Sequence, residues 1–141
     1  MIGELTQDLI NKISTVTSLG GRVGAVVGGT ATDPTMSEAP VPFAWIIFGG
    51  DTPVNDIENG KRYLQVKYSF NVVIAISYGI SEADLVSTQL NISESIMKAV
   101  MGTQGNQYSD LWEYEGQSLQ NVFPNRLVYT MNFSTVGHHK V

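Results

Sequence analysis

Asp51, Asp56 and Glu58, then Glu113 with Glu115, then His138 with His139, are the groups in this sequence whose types and spacing could support metal binding or catalysis. Carboxylates gathered in one acidic turn can hold Ca²⁺, but Asp51, Asp56 and Glu58 depart from the EF-hand spacing and read as solvated loop acids. Glu113 and Glu115 fall on one strand face, as a glycosidase pair could. General-acid work needs one carboxyl desolvated relative to the other, and neighbours on one exposed face share an environment, so they read as facing solvent or a lumen. Adjacent imidazoles on an extended chain point to opposite sides, so a metal at His138-His139 would need ligands from elsewhere, and the pair reads as a solvated end of the chain. Gly20 to Gly29 is glycine-rich, yet it holds neither GxxxxGK[ST] nor GxGxxG and precedes no predicted helix, so its glycines serve turns. There is no GxSxG elbow and there are no cysteines, which excludes disulfides, thiolate zinc sites and cysteine nucleophiles. The expectation is no enzyme, no cofactor and no metal.

Composition points toward assembly. The 141 residues suit one domain, 1–141, and charged residues make up 15% of them, against roughly 25% in ordinary soluble domains. A surface short of charge is often a surface covered in use. The net charge of -5 argues against gripping a phosphate backbone, which takes clustered Lys and Arg, although like-charge repulsion would let DNA slide past. No stretch approaches the roughly 20 apolar residues of a membrane span, and no basic segment followed by an apolar run opens the chain, so synthesis and use in the cytoplasm, or in a particle built there, are expected.

The positioning elements follow from periodicity. Leu5, Leu9, Ile13 and Val16 mark an amphipathic helix that Gly20-Gly21 should end. A weak strand, Val23 to Val27, sits in a long loop reaching Pro42. Phe43 to Phe48 is a continuous apolar run suited to a strand covered on both faces. Gly49 to Gly60 reads as an acidic hairpin loop. Tyr63 to Tyr78 then alternates without interruption, with Leu64, Val66, Tyr68, Phe70, Val72, Ile74 and Ile76 on one face. Such a strand would span about 50 Å, whereas a chain of this size has a radius of gyration of about 14–15 Å. It must bend or project, and a projecting apolar face needs cover from a neighbouring subunit. Ser81 with Asp84 opens a second helix through Val100, with Gly102 as its C-cap. Leu111 to Glu115 reads as a short strand and Leu127 to Ser134 as a closing one. Most Trp and Tyr residues, spread over these strands, should be core. The fold class is α+β: an antiparallel sheet of about four to five strands, two helices packed on one face, and one overlong strand with its hairpin.

The order of these elements, from Ile2–Ile13 through Val41–Phe48 and the long strand ending Ile76-Ser-Tyr78 to the helix Ala83–Val100 and the strand Tyr129–Phe133, resembles the tail terminator proteins of long-tailed bacteriophages. The likeness covers nearly the whole chain in element order, length and texture. It implies a homo-oligomer, a hexameric ring, that caps the tail tube in the virion, halts tube polymerisation and offers a surface to a head-side connector or neck protein. The major tail tube protein would be the other partner, and DNA would pass the lumen without specific binding. The expected subunit or tube contact is Asp51, Pro53, Asp56, Glu58, Lys61, Arg62, Tyr63, Gln65 and Lys67, supported by the Gly20 to Pro42 loop. A tail completion or neck protein shares the small size and ring habit. A small ligand-binding domain or enzyme, with a pocket between sheet and helices, is the reading from another class.

Overall fold

The computed structural model describes residues 1–25, 40–55, 63–77, 81–123 and 126–140. Helix α1 (Ile2–Ile13) is followed by a 3₁₀ turn (Thr17–Leu19) and strands β1 (Val23–Ala25), β2 (Phe43–Asn55) and β3 (Tyr63–Ser77); helix α2 (Glu82–Val100) and strands β4 (Glu113–Phe123) and β5 (Arg126–Lys140) complete the order. The strands form one sheet in the order β1-β2-β3-β5-β4. The α+β class holds, with one refinement: β1 lies parallel to β2, so the sheet is mixed.

Helix α1 buries Leu5, Leu9 and Ile13, one turn apart on a single face, and carries Glu4 in its first turn and Lys12 in its last, as the helix dipole favours. It stops at Ile13 rather than at Gly20-Gly21. The β-branched run Thr15-Val16-Thr17 is poor helix material, and the chain tightens into the 3₁₀ turn before Gly20 and Gly21 take left-handed φ values of 58° and 77°. Val16 and Leu19 still reach the core. Helix α2 begins as its sequence indicates: the Ser81 side chain accepts a hydrogen bond from the Asp84 amide. Its C-cap is Met101, with Gly102 one residue beyond at φ 71°.

The long strand is present, and its cover is intramolecular. All fifteen β3 residues, Tyr63 to Ser77, pair with β5, from Lys140 back to Arg126, while β2 flanks the other side from Phe43 to Asn55. Val66, Tyr68, Phe70, Val72, Ile74 and Ile76 are buried beneath both helices in one cluster with Leu5, Leu9, Ile92, Ile96, Trp112, Tyr129 and Phe133. The argument for a neighbouring subunit from a bare strand face therefore fails, because β5 is as long as β3 and the helices seal the face. Gly49 to Asn55 is not a hairpin loop either. It continues β2, with register shifts between Phe48 and Gly50 and between Pro53 and Asn55; residues 56–62 lie outside the described residues. Phe43, Ile47, Val73, Ala75 and Val128 form a second buried cluster on the opposite face of the sheet. Trp112, Tyr129 and Tyr68 are core, as expected of most aromatics.

Two further differences concern the second half. Leu111 makes only a bridge to Gln104, and the strand beyond it runs from Glu113 to Phe123. Strand β5 continues through His138 and His139 instead of ending at Ser134. The loop between α2 and β4 clasps α1: the Trp112 indole donates to Asp8 Oδ2 at 2.9 Å, and Lys12 Nζ bridges Asp8 (2.7 Å) and donates to the Gln104 carbonyl (2.9 Å). Asn106 donates to the Glu4 carboxylate. Gly105 lies under this clasp, where an added Cβ would stand 2.8 Å from Trp112 Nε1 and 2.9 Å from Leu5 Cδ2.

Gly105→Ala should therefore destabilise the fold by about 1–3 kcal/mol through overpacking. Gly3→Ala, on open surface in α1, should stabilise it by up to about 1 kcal/mol. Urea unfolding of both variants checks the pair of opposite signs; equal midpoints would contradict the clasp.

Candidate functional site

The expected contact residues divide between the two faces of the sheet. Asp51 stands opposite Tyr68 and Pro53 opposite Val66 on the helix-bearing face, at the exposed outer end of β2. Gln65 and Lys67 belong to the opposite face, and Tyr63 begins β3 opposite Lys140. Asp56, Glu58, Lys61 and Arg62 lie outside the described residues. The described members of the set thus lie at one end of the sheet, on both of its faces.

On the open face, β3, β5 and β4 assemble a polar network. Lys67 Nζ lies 2.6 Å from Glu115 Oε1, and Ser134 Oγ donates to the same oxygen at 2.7 Å. The hydrogen bond from Lys67, then that from Ser134, holds the Glu115 carboxyl below the usual carboxylate range, against the opposing effect of burial. Glu113 and Glu115 are both exposed, as the reading from sequence had them, and Glu115 in addition takes the Lys67 and Ser134 partners. Glu115 sits at the register shift between Tyr114 and Gly116. One strand turn away, His138 Nε2 lies 2.8 Å from Asp110 Oδ1 and Gln65 Nε2 lies 3.3 Å from His138 Nδ1. An imidazole protonated on Nε2 donates to Asp110 and accepts from Gln65, which satisfies both contacts.

His138 and His139 are therefore not a solvated end, because both sit in β5. His139 Nε2 shares a 2.7 Å hydrogen bond with the Tyr68 hydroxyl on the helix-bearing face. Burial, then the negative charge of Asp51, pushes the Tyr68 phenol up. Alternation along a strand sends the two imidazoles to opposite faces, so they do not converge on a metal. Among the described residues no group of three or more His, Asp or Glu side chains could hold a metal ion. Tyr129, pushed up to about 12 chiefly by burial, is held by Ser93 and the Gln89 carbonyl and ties α2 to the sheet.

Sequence reasoning missed Glu115, Ser134, His138 and Asp110 as partners of Gln65 and Lys67. The available signal was alternation: Val128, Thr130, Asn132, Ser134, Val136 and His138 share a face, and continuing that period past Ser134 would have carried the strand to His138.

A shallow groove of about 280 Å³ lies at the other end of β2, lined by Arg22, Val23, Gly24, Pro40, Phe43 and Trp45. Phe43 and Trp45 pack with ring centroids 4.8 Å apart, and Arg22 Nε donates to the Pro42 carbonyl at 2.7 Å. Among the described residues the surface thus offers exposed strand edges, a polar sheet face and an arginine-flanked groove.

No protein-family model and no curated protein matches the sequence. Among solved structures, the chain is similar to one in the virion of a native gene transfer agent particle, with a TM-score of 0.64 and 10% identity over 98% of this chain and 97% of the other. At that identity the likeness establishes the shared fold.

The Glu115 environment has a signed consequence. Its folded-state pKa is depressed, so its contribution is present above the unfolded value near 4.5 and is lost as pH falls through the folded one. Because the pair is partly exposed, Glu115→Gln should lower stability by less than about 1 kcal/mol at pH 7, with the gap to the parent closing toward pH 3. Denaturant titrations at the two pH values measure it, and a gap that widened on acidification would contradict the assignment.

Proposed function

We propose that this chain is a structural protein of a phage virion: a tail terminator that closes into a hexameric ring on the end of the tail tube. The ring ends tube polymerisation and presents the surface on which a head-side connector docks. The observation that carries this reading is the end-to-end fold likeness to a chain of a virion particle, spanning 98% of this chain. The element order that resembles tail terminators supports it further. So does the site: paired polar side chains on an open sheet face and exposed strand edges suit the repeated docking of subunits, and the described residues offer no catalytic constellation.

In this reading the protein works by geometry. One side of the ring matches the last ring of major tail tube protein, and the other lacks an equivalent tube-forming edge. The net charge of -5 keeps passing DNA from adhering. A neck or tail completion protein is the second reading, favoured by the same virion neighbour, which specifies a particle and not a position in it.

Light scattering on the purified chain should give a species near six times 15.4 kDa, alone or once tail tubes are added, and electron microscopy should find it at tube ends. Binding to portal-bearing heads but not to tubes would favour the neck protein. A chain that stays monomeric with both would overturn the proposal.

A further inference from the structure

Strand β2 carries unlike surfaces at its two ends. At its start is the groove of Arg22, Val23, Gly24, Phe43 and Trp45. The Arg22 Nε donates to the Pro42 carbonyl, which fixes the guanidinium beside Gly20, where an added Cβ would stand 2.8 Å from Nη1 and 3.1 Å from Nη2. Arg22 is exposed and makes no ion pair with a described residue, in a chain with 8 Lys and Arg against 13 Asp and Glu. At the far end, the second register shift throws Val54 out of the ladder, leaving it 50% exposed beside Pro53 and Asp51. Asp51, like Arg22, is exposed and has no ion-pair partner among the described residues. Strand β1 covers only Ala44 to Ile46, so from Ile47 onward no described strand flanks the outer edge of β2.

We infer that the two ends are complementary halves of one contact between copies of this chain: Val54 and Pro53 of one subunit enter the Phe43–Trp45 groove of the next, and Asp51 meets Arg22. An apolar tip with a carboxylate beside it fits an apolar groove with a guanidinium beside it, and Arg provides the planar fork that pairs best with a carboxylate. The contact is made by side-chain insertion. Pro53 has no N–H, and the two bulges break the edge, so a neighbour's strand cannot zip onto it. Trp45 and Val54 are nine residues apart along one strand, about 30 Å. Donor and acceptor are thus separate patches, which makes the contact heterologous: it propagates head to tail and closes when the rotation allows a ring. This inference rests on the ring reading above and specifies which surfaces make the ring.

The absence of cysteine allows a clean test. An added Cβ at Gly24 meets nothing within 4 Å, and Val54 is exposed, so Gly24→Cys and Val54→Cys should both fold. Oxidised under assembling conditions, with tail tubes added if the parent needs them, the double variant should give a ladder of covalent multimers on a denaturing gel. Each single variant should give none. Arg22→Glu and Asp51→Lys should each weaken association by about tenfold or more, and the two combined should recover most of it. If the parent assembles but the double variant gives no ladder, or the charge reversals change nothing, the contact is wrong and the ring reading stands. Dimers from either single variant would show an isologous contact and overturn the inference. A parent that stays monomeric with and without tubes overturns both.

Discussion

Everything in this structure depends on the pairing of β3 along its whole length. A strand of fifteen residues with an unbroken apolar face is tolerable only if both edges and that face are sealed, and the chain seals all three itself. Strand β5 matches β3 residue for residue, β2 matches it through two bulges, and the helices lie over the face that Val66, Phe70, Val72 and Ile74 present. The remaining features follow from that demand. Helix α2 crosses to bring Ile92, Ile96 and Val100 onto the sheet, and the loop after it returns to pin α1 through Trp112 and Asp8.

Much of this was legible because local pattern and tertiary role agree. The β3 span was readable to within a residue, since alternation over Leu64 to Ile76 admits no other period. The α2 start was readable because Ser81 is a side-chain cap acting over three residues. Two of the misreadings share a cause, which is that the decisive partner was distant in sequence. Gly49 to Asn55 has loop composition, with Gly50 at φ 122° and Pro53, yet it continues β2 because β3 provides a template and the bulges absorb the misfit. His138-His139 has the look of a frayed end, yet it is strand because Leu64 and Gln65 stand opposite. Edge strand β4 beyond Glu115 has no clean alternation, since two register shifts break its period.

The candidate surface was legible only in part for the same reason. Sequence placed Asp51, Gln65 and Lys67 together by nearness in the chain. The pleat separates them, sending Asp51 to the helix-bearing side and the other two to the open side, where Glu115, Ser134 and His138 meet them from strands some fifty to seventy residues later. A contact surface is defined by register, and register is fixed by hairpins and bulges that composition does not reveal.

The clasp on α1 bears on the order in which the fold can be completed. Glu4 and Asp8 find their partners at Asn106 and Trp112, about a hundred residues along the chain. The apolar face of α1 likewise shares a core with Phe133 and Tyr129. Contacts of such separation form late and slowly, because loop closure must precede any gain from them. A nascent chain that has not yet extended to β4 and β5 therefore holds α1 without its clasp and β3 unpaired on its β5 side. The open face of the sheet gains its polar network of Lys67, Glu115, Ser134 and His138 only once β4 and β5 have been made, so translation order sets the order in which this surface is completed.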